Sequence, residues 1–242
     1  MLTSTIILLC LLAFGAAVVQ RVSGFGFGIF IMTALPYLMP TFGEAVTLSG
    51  VLALATSATI VLHMYKYIAW KKLLPILTVF LIVSWFAGLW ISVINDVMLK
   101  HILGGVLVAA SIWFFFLSER IHINPTVTMQ VSMGTLSGVM GGLFGMQGPP
   151  AVLYFLASAS RKEEYMAMAQ CYFLVGNLAM TGFRACNGYF TPNVAWAWCY
   201  CLPAVFLGTW VGSLIFRRIP IRILRKIIYV YMGISGAIAL MA

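Results

Sequence analysis

Seven stretches of the chain, 3–20, 44–64, 73–94, 98–118, 163–184, 193–216 and 221–241, run apolar for about the 20 residues that a helix needs to cross a hydrocarbon layer. Charged residues gather at the ends of these runs and in the links between them. Backbone in lipid finds no water to bond, so only helices or a closed barrel can satisfy it. The runs are continuous rather than alternating, which argues against a barrel. Only 8% of the 242 residues are charged and 63% are hydrophobic. A water-soluble domain carries about 25% charged residues, so this chain lacks the polar surface to coat a soluble globule. The expected fold class is an all-α polytopic membrane protein. The opening run, "MLTSTIILLCLLAFGAAVV", lacks the basic start of a signal peptide and reads as a retained first helix.

Segment 127–142 is somewhat short for a span, and two further pieces, 29–40 and 147–160, are too short to cross. Each of these two pieces follows a glycine cluster, "GFGFG" from Gly24 and "GGLFGMQGPP" from Gly141. The clusters also correspond. "SGFGFGIFIMTALPYL" opens as "GLFGMQGPPAVLYFL" does about 121 residues later, pairing Gly24 with Gly145. "YIAWKKLLP" is echoed by "YFTPNVAWAWCYCLP", "FAGLWIS" by "FLGTWVG", and "LKHILGGVLVAAS" by "LRKIIYVYMGISG". Four matches in one order indicate an internal duplication, with repeats at 1–120 and 121–242.

Charge then sets orientation. In the first half, Lys66, Lys71 and Lys72 share the early loop, while Asp96 and Lys100 cancel in the next. In the second half the early loop holds only Arg184, and the later one holds Arg217, Arg218, Arg222, Arg225 and Lys226. The basic loop has changed places, so by the positive-inside rule the halves lie inverted. Each short piece must then form a V with its preceding helix, followed by three transmembrane helices. Both termini come out on the periplasmic side. The net charge of +9 belongs to these orientation signals rather than to nucleic-acid binding.

Non-helical backbone at membrane depth is tolerated where it is buried in protein or lines a watery cavity, and matched breaks in inverted repeats point to a transport site between them. Helix starts offer N–H groups and a positive dipole end, and two such ends facing one site favour an anion. The expected substrate-binding residues are Gly24, Phe25, Gly26 and Gly28 from the first break and Gly145, Gln147, Gly148 and Pro149 from the second. Glycine and helix ends cannot suffice. An anion in low dielectric costs on the order of 20 kcal/mol by idealised estimate, and one helix end returns at most about 2 kcal/mol. Side-chain donors must help, and the candidates are Gln20, Arg21, Ser23, Gln147 and Asn177. Arg21 reads also as an interfacial arginine, and Asn177 as a polar helix contact. Arg184 reads as a helix-end charge near the outer surface, Glu44 as a helix start, and His63 as interfacial. Tyr154 and Tyr172 read as packing, and Gly134, Gly138 and Gly142 have the spacing of a close helix contact.

The five acids, Glu44, Asp96, Glu119, Glu163 and Glu164, all fall near expected ends or loops, leaving none at mid-membrane for a proton relay. An inside-negative potential drives a monoanion outward by about 2.3 kcal/mol per 100 mV, which favours export. The five cysteines and three histidines show neither metal-ligand spacing nor a disulfide framework. No catalytic set is legible, so neither enzyme activity nor a cofactor is expected.

The motifs "SGFGFG" and "GVMGGLFGMQGPPAVLYFL" resemble those of the TauE/SafE family of sulfite and organosulfonate exporters, and the resemblance runs through "HMYKYIAWKK" to the last span. Phe27 interrupts the family's glycine run in the first motif, and Gln147–Gly148–Pro149 stands in the second. The resemblance implies a bacterial inner-membrane carrier of small sulfur-containing anions. It points to Gly24, Gly26, Gly28, Gly145, Gly148 and Pro149. An anion channel of the same architecture, an ion-coupled uptake carrier and a homodimer are left open.

Overall fold

The computed structural model describes residues 3–113, 126–216 and scattered positions from 230 to 241. Among the described residues every regular element is helical. The elements are α1 (Thr3–Ser23), α2 (Phe27–Ile31), α3 (Leu35–Leu38), α4 (Phe42–Met64), α5 (Trp70–Leu89), α6 (Asp96–Ile112), α7 (Val127–Phe144), α8 (Gly148–Ser158), α9 (Lys162–Cys186) and α10 (Pro192–Phe216). The polar link 118–125, the boundary at 120/121, the basic residues 217–226 and most of the expected span 221–241 lie outside the described residues.

Four segments are long and apolar enough to cross a membrane: Ser4–Ser23, Phe42–Tyr67, Trp70–Ser92 and Pro192–Ile215. α9 has the length but carries Gln170, Asn177 and Arg184, all buried. These polar side chains are enclosed by protein, while Leu178 of the same helix is exposed. Local chemistry explains the helix starts. Thr41, Asn95 and Thr126 accept the backbone N–H of Glu44, Met98 and Met129, and so cap α4, α6 and α7.

The expected piece 29–40 is two short helices, α2 and α3, separated by a turn at 32–34. Pro36 is the reason. It has no N–H for the carbonyl of Met32 and fits only the first turn of a new helix. The second short piece is one uninterrupted helix, α8, because Pro149 and Pro150 both fall in its first turn.

α1 packs along α10, α5 along α7, and α4 against α9. Cys10 lies beside Cys201 and Arg21 beside Ser213, so α1 and α10 run parallel. Gly134, Gly138 and Gly142 face α5, where added methyls would meet Val79, Val83 and Ala87. Gly43 lies against Tyr189 and Gly50 against Thr181, so α4 and α9 run antiparallel. Gly236 sits against Gly104 and Leu107 of α6. The short helices fold back on their predecessors, α2 and α3 on α1, and α8 on α7.

Two polar links mark the ends of the bundle. Lys72 donates to Glu164 and to the carbonyl of Ser158, both at 2.7 Å, which gathers the α4–α5 and α8–α9 links at one end. At the other end Asp96 accepts the N–H of Phe42 at 3.0 Å, and Thr191 donates to Glu44 at 2.6 Å.

Candidate functional site

Both breaks are three residues long, 24–26 and 145–147, and their following helices start at positions 121 apart. Gly24 and Gly145 turn the chain with φ of +83° and +67°, a conformation that a side chain resists. Gly145 closes α7 as an αL cap, its N–H bonding the carbonyl of Gly141, and the Met146 N–H bonds that of Met140. The breaks then touch. A methyl on Gly28 would overlap the carbonyl oxygen of Gly145, so the contact is backbone on backbone.

Beside this contact lies a small cavity of about 20 Å³. Gln20, Gly26 and Gly28 face it from the first break, Gly145, Gln147 and Gly148 from the second, and Asn177 from α9. Phe27, Ile29 and Phe173 supply apolar wall. The structure thus brings seven of the twelve expected residues to one cavity.

The other five stand elsewhere. Ser23 ties the first break together, with its Oγ 2.6 Å from the Phe25 carbonyl and 2.7 Å from that of Val19. Gly24 sits behind the wall, its carbonyl accepting from Gln170 at 2.8 Å. Phe25 is buried against Gly148, and Pro149 is buried in the first turn of α8. Arg21 does not line the cavity. Its Nε donates to Ser213 of α10 at 2.8 Å, because positions 14, 17, 18 and 21 form the α1 face that meets Gly208 and Gly212.

Arg184 also departs from expectation. It stands in the last turn of α9 but is 1% exposed, so it is not a surface charge. Its Nη2 donates to the carbonyls of Gly141 and Gly142 at 2.8 and 2.9 Å, placing a cation at the negative end of α7. Glu44 is in the first turn of α4 as expected, and His63 is exposed near that helix's end. Tyr154 and Tyr172 pack in the core as expected, and both also hold hydrogen bonds.

The two breaks are held by different networks. Gln170, which sequence reasoning passed over, accepts from Gln20 at 3.0 Å while donating to Gly24. Gln20 also reaches Ser57 at 2.9 Å. The signal was available, since Gln170 and Asn177 lie two helical turns apart in an otherwise greasy segment. On the second break, Tyr172 donates to Ser137 at 2.7 Å, and Ser137 donates to the carbonyl of Gln147. Gln147 Oε1 is buried with no partner. The Asn177 amide makes no side-chain hydrogen bond among the described residues. The first-turn N–H groups of α2 have no carbonyl within their own helix. In α8 the prolines reduce that set to Gly148 and Ala151. The cavity therefore presents amides and helix starts, and no carboxylate among the described residues lines it.

The profile of the sulfite exporter TauE/SafE family matches residues 9–238, both breaks included. The chain belongs to the TauE/SafE family. Among curated relatives, it is 26% identical to a probable sulfite/organosulfonate exporter TauE of Cupriavidus necator, over 83% of this chain and 78% of that one. It is 23% identical to a probable membrane transporter protein of Methanocaldococcus jannaschii, over 77% of this chain and 73% of that one. No solved structure matches the chain. As a TauE/SafE member with several membrane-length apolar helices, it is a multi-pass membrane transporter.

Proposed function

We propose that this transporter exports small sulfur-containing anions, sulfite or organosulfonates, by alternating access, with the anion held between the two glycine breaks. One observation carries the reading. Two breaks from opposite halves of the sequence abut, and beside them lies a small cavity lined by two helix starts and the Asn177 amide, with no carboxylate among the described residues.

Several features support an inverted repeat of 1–120 and 121–242. Exchanging the halves turns the α1–α10 packing into the α7–α5 packing and leaves α4 against α9. The breaks correspond residue for residue. Lys66, Lys71, Lys72, Arg161 and Lys162 lie around one end of the bundle, which supports the reading of that end as cytoplasmic. α1 runs parallel to α10, so residue 3 belongs to the opposite, periplasmic end, and the repeat carries the C-terminus there too. Outward movement of a monoanion then follows the membrane potential, without a coupling ion.

A thermal-shift screen of the purified protein against millimolar sulfite, thiosulfate, sulfoacetate, isethionate and sulfate tests the reading. Stabilisation by RT ln(1 + [L]/Kd) is expected for sulfite or a sulfonate, along with counterflow of that label in proteoliposomes. Gly148→Leu fills the cavity and should abolish both. No stabilisation by any of these anions would overturn the proposal, and single-channel current in place of counterflow would replace the carrier with a channel.

A further inference from the structure

We infer that Gln170 is a positioning residue for transport: paired with Gln20, it latches the first break, and an entering anion opens the latch by taking an N–H of Gln20. The latch presupposes the anion-transport reading above and is the part of that site that must move.

A cavity of about 20 Å³ has room for about one water molecule. Sulfite and sulfonates are larger, so a wall must give way before either is seated. Gln170 donates to the Gly24 carbonyl at 2.8 Å and accepts from Gln20 at 3.0 Å. The same Gln20 Nε2 donates to Ser57 at 2.9 Å. An amide nitrogen has two hydrogens, and both are spent. Gln20 therefore lines the cavity without a free N–H to offer it. An anion claims one only by displacing a neutral partner, which a charged acceptor does because its bond is the stronger. Displacing Gln170 is the exchange that reaches the break, since the other end of Gln170 holds Gly24. Its Oε1 is then left buried without a donor, which favours release of that hold.

The second break has no such device. At the offset of 121 that relates the breaks, Gln20 corresponds to Gly141 and Gln170 to Ser49, and no amide pair is possible there. That break is held by the backbone cap at Gly145 and by the Tyr172–Ser137 relay to the Gln147 carbonyl, and neither Tyr172 nor Ser137 lines the cavity. A glycine break thus forms without an amide latch, and the one latch among the described residues stands where a guest can reach it.

The test uses the full chain in detergent and in proteoliposomes, with isethionate as probe because it stays a monoanion at every working pH. Gln170→Leu frees an N–H of Gln20 and unties Gly24. Binding should tighten about fivefold, the worth of one hydrogen bond that no longer has to be broken. The maximal counterflow rate should fall about tenfold, because the first break is no longer held between cycles. A merely structural role would lower rate and affinity together. Gln170→Glu keeps the shape and keeps the latch testable if Gln170→Leu does not fold. Its protonated carboxyl accepts from Gln20 and donates to Gly24, whereas the ionised form cannot donate. Gln20, Met166 and the Gly24 carbonyl, which bond this side chain, are uncharged. Counterflow by Gln170→Glu should therefore recover as the pH is lowered, relative to the parent. A Gln170→Leu protein whose affinity does not tighten or whose rate does not fall, or a Gln170→Glu protein without that recovery, overturns the latch and leaves the cavity reading standing. Should the parent bind and move neither isethionate nor sulfite, the anion reading falls and the latch with it.

Discussion

Replacing Gly142 by alanine should loosen the bundle more than the same change at Gly138 or Gly134. The three glycines form one stripe on α7 against α5, but the gap narrows along it. A methyl at Gly134 would sit 3.0 Å from Val79, and one at Gly138 would sit 2.7 Å from Val83. At Gly142 the methyl would fall 2.6 Å from the carbonyl oxygen of Ser84 and 2.7 Å from Ala87. Ordinary contact begins near 3.4 Å, so the helices would have to part by about 0.4 Å at the first position and about 0.8 Å at the last. At the first two positions the nearest atoms are the valine Cβ and Cγ1, with the backbone carbonyls of Ile76 and Phe80 at 3.1 Å, whereas at Gly142 the nearest atom is itself a backbone carbonyl. Overpacking costs about 1–3 kcal/mol, and Gly142→Ala belongs at the top of that range with Gly134→Ala at the bottom. For a chain of this size each kcal/mol moves the melting temperature by about 2–4 °C. Thermal unfolding of the three purified variants should rank them 142, 138, 134 in loss of stability. The opposite ranking, or three neutral variants, would refute the α5–α7 contact as described.

Other expectations follow from the same geometry. Gly28→Ala forces the two breaks apart and should abolish counterflow at a stability cost of about 1–3 kcal/mol; normal flux in this variant would contradict the abutment. Tyr172→Phe removes one buried hydrogen bond to Ser137 and should cost about 1 kcal/mol in denaturation, with the fold kept. Cys10 and Cys201 have their sulfurs 3.9 Å apart, so copper-phenanthroline should join them in a background lacking Cys171, Cys186 and Cys199. Mass spectrometry of the linked peptides checks this, and absence of the link would contradict the pairing of α1 with α10. Isethionate should bind at least about tenfold tighter than taurine, whose ammonium finds no carboxylate at the cavity; titration calorimetry with both ligands decides.

Helix positions were legible because apolar runs and their charged borders have a physical cause that acts locally. Both breaks were legible for the same reason, since glycine and proline determine what the backbone can do. Roles of charged side chains were harder. Arg21 and Arg184 look alike in a linear chain, each near the end of an apolar run. Only the packing of α1 on α10 turns the first towards Ser213, and only the bare carbonyls of Gly141 and Gly142 draw the second inward. Gly50 was illegible as a close-packing position because its meaning lies in what α9, about 130 residues away, brings opposite to it. The split of the first short piece into α2 and α3 could have been read from Pro36, which bars a helix from continuing past Met32.

The meeting of Gly28 with Gly145 involves main-chain atoms alone. Such a joint has no chemical preference among guests and makes few demands on the residues around it, beyond small size at those two places. Surrounding side chains are free to drift as substrates change, while the joint keeps the same shape. On the proposed anion-carrier reading, selectivity then falls to side chains on the long neighbouring helices, such as the Asn177 amide, which can be exchanged without disturbing the joint.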